Sequence, residues 1–116
     1  MSSLAVTLIA LVALLHLGFL VPEMFLWTRP VGLAVFRLSP QQAQQSKRLA
    51  ANQGLYNGFL AGGLVYAVAT GSREFALFFL ACVVVAGMFG AMTVNHRIFF
   101  VQALPALLAI AALWFS

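Results

Sequence analysis

Residues 52–58 read NQGLYNG, inside a segment, 49–70, that is otherwise apolar enough to enter a membrane. Three carboxamides and a phenol placed there need partners, because hydrocarbon offers none to a polar group. What surrounds them follows from the rest of the chain.

Of the 116 residues, 64% are hydrophobic and 7% are charged, with a mean hydropathy of +1.05. Soluble domains carry roughly 25% charged residues. Four apolar segments, 4–27, 49–70, 75–94 and 98–115, each approach the roughly 20 residues needed to cross a bilayer core. The pattern predicts an all-α, polytopic membrane protein forming one domain over residues 1–116, an antiparallel four-helix transmembrane bundle. Its helices are expected at about 4–27, 40–70, 74–95 and 98–115, with a cytoplasmic first loop at about 28–48. The first segment lacks a basic flank and an A-x-A cleavage site, so it reads as a retained helix rather than a secretory signal.

The net charge of +4 does not mark a nucleic-acid partner, because six basic residues spread over membrane loops make no basic face. They mark orientation. Arg29, Arg37, Lys47 and Arg48 fall in the first loop and Arg97 in the third, against Arg73 alone in the second. By the positive-inside rule, loops one and three are cytoplasmic and both termini lie outside the inner (plasma) membrane. Trp27 and Trp114 then sit at opposite interfaces. The single cysteine, Cys82, lies within an apolar segment and excludes an intramolecular disulfide.

The first loop holds two local signals. Val31, Val35 and Leu38 stand at helical spacing beside Arg37, as in a segment lying along the interface. Ser39-Pro40-Gln41-Gln42 is a capping-box pattern with proline at the first helical position, so a helix is expected from Pro40 to about Thr70, about 46 Å long.

On a helical wheel, Asn52, Gln53, Tyr56 and Asn57 fall within an arc of about 140°, and Gly54, Gly58 and Gly62 fall opposite. Glycines four apart let another helix approach closely in lipid. Ala86 with Gly90 and Gly87 with Ala91 make the third apolar segment the expected mate, and a homodimer through Gly54, Gly58 and Gly62 is the competing use of that face.

The topology brings other polar residues to the same depth. Glu23 ends the first segment at the cytoplasmic side, Asn95 and His96 end the third there, and Gln102 opens the fourth. His16 lies deeper, seven residues before Glu23 and about 10 Å away along the same helix face. Pro22 removes a backbone donor beside Glu23. The candidate ligand-binding set is therefore His16, Glu23, Asn52, Gln53, Tyr56, Asn57, Asn95, His96 and Gln102. An ionisable group inside a membrane helix is a functional-site hypothesis by default. No His, Cys or carboxylate spacing resembles a metal site, and no nucleophile elbow, phosphate loop or dinucleotide fingerprint occurs, so no cofactor or catalytic residue is assigned.

Four blocks, EMFLWTRPVGLAVF (23–36), ANQGLYNGFLAGGL (51–64), VVAGMFGAMTV (84–94) and VQALPALLA (101–109), resemble in order the bacterial membrane family catalogued as domain of unknown function 1304. Phe89 departs from that pattern, where a tyrosine is expected. The resemblance implies a compact four-helix integral membrane protein and carries no activity.

Four functions compete: binding of a lipid-like or hydrophobic small molecule, its polar head at Glu23, Asn52, Tyr56 and Asn57; a small proton-coupled exporter; a membrane-embedded acid/base enzyme; and a structural subunit of a membrane complex. Membrane lipids are partners in all four. The first accounts for both the polar cluster and the apolar half of the bundle, and is the reading preferred here.

Overall fold

The computed structural model describes residues 1–116 and contains helices and no strands. Helix α1 spans Ser3–Phe25, α2 Pro30–Phe36, α3 Pro40–Thr70 and α4 Arg73–Thr93; a π-helical turn, Phe99–Ala103, leads into α5, Leu104–Trp114.

Local chemistry sets these boundaries. Ser2 Oγ accepts from the Ala5 amide at 3.1 Å and opens α1. Before α3, Ser39 Oγ accepts from the Gln42 amide at 3.1 Å while Gln42 Oε1 accepts from the Ser39 amide at 2.9 Å, a complete capping box. Arg37 closes α2 in the left-handed region, φ 55°, and its amide bonds the Leu33 carbonyl. Gly71 makes the tight turn out of α3, and Ser72 caps α4 by accepting from the Phe75 amide.

Two of the helices, α1 and α4, are long and apolar enough to cross a membrane. The expectation of four such spans is met only in part. The amides of 52–58 lower the apolarity of α3, and the last apolar helical stretch, Phe99–Trp114, is shorter. Only 28% of the apolar stretch of α1 and 22% of that of α4 is buried. Leu14, Phe78, Val85 and Met92 are instead exposed.

The chain divides into two compact units, one of residues 1–15 with 60–116 and one of residues 16–59. In the first, a single apolar cluster draws on four helices at three- and four-residue spacing: Ala5, Ile9 and Val12; Ala61, Leu64 and Ala67; Ala76, Leu80 and Val83; Ala106, Ala109 and Leu113. Half of these residues are alanine, so backbones approach closely. At Gly87 a Cβ would lie 2.6 Å from the Ala103 amide nitrogen, so α4 takes the start of the last helical stretch against its own backbone.

The π turn has a local cause. Pro105 has no amide hydrogen, and its ring would press on the carbonyl four residues back, at Val101, in a regular α-helix. A five-residue hydrogen-bond spacing just before it, with the Leu104 amide on the Phe99 carbonyl, relieves that clash.

In the second unit, α2 folds back on the end of α1, and a Cβ at Gly32 would collide with the Leu26 carbonyl oxygen. Trp27 packs against Phe36 with the rings tilted by 42° at a centroid distance of 4.6 Å. Backbone there cannot shift cheaply, so Gly32→Ala should lower stability by about 1–3 kcal/mol in detergent thermal unfolding. Gly62→Ala, where a Cβ meets nothing within 4 Å, should be neutral or stabilising by up to about 1 kcal/mol. Equal effects of the two substitutions would contradict this packing.

Candidate functional site

Within residues 16–59, the end of α1 and the first half of α3 run antiparallel. Leu20 approaches Gly58, Glu23 and Met24 approach Gly54, and Trp27 reaches Ser46. The facing row on α3 is Ser46, Ala50, Gly54 and Gly58, four apart and small throughout. A Cβ at Gly54 would lie 2.5 Å from Met24 Cγ, 3.1 Å from Glu23 Cβ and 3.3 Å from the Leu20 carbonyl oxygen. Glycine is therefore what lets α1 come near enough for its carboxyl to reach α3.

There Asn57 Nδ2 donates to Glu23 Oε1 at 2.5 Å. Asn57 is 3% exposed and Glu23 is half-buried. A second tie lies toward the loop, where Trp27 Nε1 donates to Ser46 Oγ at 3.0 Å and Ser46 Oγ donates to the Gln42 carbonyl at 2.8 Å. One partner of each tie, Glu23 and Trp27, borders a groove of about 260 Å³; Asn57 and Ser46 do not line it. Met24 and Phe25 give it an apolar wall, Glu23 and Trp27 line it, and Lys47 and Arg48 bring two cationic side chains.

The other expected site residues are placed differently. Asn52, Gln53 and Tyr56 are exposed, and Tyr56 lies edge-on to Phe59 at 5.7 Å. The wheel set Asn57 with them and opposite Gly54, yet Asn57 and Gly54 differ by only about 60° around the helix and share the buried stripe with Ala50 and Ala61. His16 is fully buried, its ring edge-on to Phe19 at 5.3 Å.

Asn95, His96 and Gln102 belong to the unit of residues 1–15 and 60–116. Asn95 Oδ1 accepts from the Arg97 amide at 2.9 Å and so shapes its own turn. His96 borders an open apolar groove with Met88, Met92, Phe99 and Phe100, and Gln102 is part of the π turn.

The glycine face also needs correction. Its mate at Gly54 and Gly58 is α1, not α4, and Gly62 faces open space. On α4, Gly87 receives Ala103 and Gly90 receives Ile98. Trp27, Ser46, Lys47 and Arg48 were not among the expected site residues, although the small row beginning at Ser46 was a usable signal for the first pair.

Compared with known proteins, the chain matches the model of the family described as "Protein of unknown function (DUF1304)" over residues 10–114. It is 29% identical over 119 residues to "Uncharacterized protein YpaA" of Lactococcus lactis subsp. lactis (strain IL1403), covering 99% of this chain and 100% of that protein. No solved structure matches.

Removing the Asn57 amide leaves the Glu23 oxygen without its partner. Asn57→Leu should therefore cost about 1–3 kcal/mol in unfolding from detergent, whereas Asn52→Ala, at an exposed position, should stay within about 0.5 kcal/mol. Indistinguishable effects would contradict the pairing.

Proposed function

Because the chain belongs to the DUF1304 family, a family of unknown function, we propose its role from its own residues: a multi-pass protein of the plasma membrane that binds a lipid-like amphiphile in the groove beside Glu23 and Asn57. The observation that carries this reading is a groove whose sides are apolar at Met24 and Phe25 and polar at Glu23, Lys47 and Arg48, with the Glu23 carboxyl held by Asn57 from outside the lining. An amphiphile matches both kinds of lining at once.

The membrane placement rests on the exposed apolar faces of α1 and α4, which water would disfavour and lipid chains would cover. In this reading α1, α3, α4 and the stretch from Phe99 to Trp114 form one antiparallel four-helix transmembrane domain, with both termini outside. The basic bias of the first loop puts the groove at the cytoplasmic interface, where Trp27 suits the headgroup level. A ligand would enter from the inner leaflet. Self-association through the glycine row would be left with Gly62, since α1 already lies on Gly54 and Gly58.

Native mass spectrometry of gently extracted protein tests the proposal by comparing wild type with Glu23→Gln and Asn57→Leu. A single co-purified species, retained by wild type and lost from both variants, is expected. No retained species in any sample, with all three equally folded, would contradict it and favour a structural subunit.

A further inference from the structure

We infer that the groove recognises an anionic lipid headgroup through Lys47 and Arg48, an inference that rests on the amphiphile reading above and adds the chemistry of the head. The two residues are consecutive on α3 and both line the same groove. Neither makes a salt bridge or a side-chain hydrogen bond within the chain. The chain offers them little, since its only acidic residues are Glu23, whose Oε1 is taken by Asn57, and Glu74, in the first turn of α4.

A neutral head would leave both cations as they stand, whereas a phosphodiester pairs with an ammonium and a guanidinium through charge-assisted hydrogen bonds. The Thr28 hydroxyl, at the same groove, adds an uncharged donor. Trp27, fixed by Ser46 and Phe36, gives the head a rigid wall. Met24 and Phe25 carry the apolar lining on from the cationic end, which suits an acyl chain attached to the phosphate and gives free phosphate nothing to bind.

This differs from the diffuse attraction of a basic loop to an anionic leaflet. Arg29 and Arg37 carry the same charge and line neither this groove nor the one beside His96. They are the controls.

The experiment embeds wild type, Asn57→Leu, Lys47→Gln/Arg48→Gln and Arg29→Gln/Arg37→Gln in nanodiscs of mixed phosphatidylglycerol and phosphatidylcholine and measures the lipid retained on release by native mass spectrometry. Wild type should retain phosphatidylglycerol selectively. The Lys47/Arg48 pair should lose that preference by about thirtyfold and the Arg29/Arg37 pair by no more than about threefold.

Equal losses in the two pairs would overturn the inference in favour of diffuse surface charge. Displacement of the lipid by inorganic phosphate as effectively as by phosphatidylglycerol would overturn it in favour of an anion site. Retention of both lipids alike by wild type, abolished by Asn57→Leu, would sink the headgroup assignment and leave the amphiphile reading standing. No retained lipid in wild type would remove both.

Discussion

The hydrogen bond from Asn57 Nδ2 to Glu23 Oε1 fixes the helix pair from which the candidate site is built. Its force comes from the surroundings. The Asn57 carboxamide is buried and the Glu23 carboxyl half-buried, so the amide has few alternatives to this bond, and losing one partner costs more than the bond itself contributes. The bond also sets a geometric demand, because it closes only if two backbones approach to within what Gly54 and Gly58 allow. The small row from Ser46 to Gly58 and the polar pair are therefore one device. One tie holds Glu23, the other Trp27, and both of these residues line the groove.

The unit of residues 1–15 and 60–116 is held by different means. Its cluster contains no polar side chain, and alanine recurs where the helices meet. Close backbone approach joins the helices of this cluster, most plainly where Gly87 admits Ala103. The π turn before Pro105 belongs to the same economy of space, since it lets a proline enter an apolar helix without breaking it. Polar ties and small-residue packing are both solutions suited to lipid, where apolar burial between helices gives little driving force.

The sequence was most readable where the signal is local. The capping box at Ser39 and Gln42 needs only four consecutive residues, and it forms as written. Val31, Val35 and Leu38 announced a helical segment, and α2 covers the two valines but ends before Leu38, while the collision that makes Gly32 necessary depends on a neighbour the sequence does not show. The site was half readable. Glu23 and Asn57 stood out as the wrong residues for lipid, and they meet; Asn52, Gln53 and Tyr56 stood out equally and are exposed. A wheel assigns faces only relative to a partner. A rotation of about 60° was enough to separate Asn57 from its apparent companions and join it to Gly54. The groove cations were out of reach for a further reason, since Lys47 and Arg48 read equally well as topology signals and only the fold-back through α2 brings them to Glu23.

The measurement that tests this account most directly is a double-mutant cycle between Glu23 and Asn57, with Glu23→Ala, Asn57→Ala and the double variant unfolded from the same lipid-detergent mixture. A coupling of about 0.5–2 kcal/mol is expected, with the double variant less damaged than the sum of the single ones. Strict additivity, with both single variants destabilised, would contradict it, because the two side chains would then contribute independently.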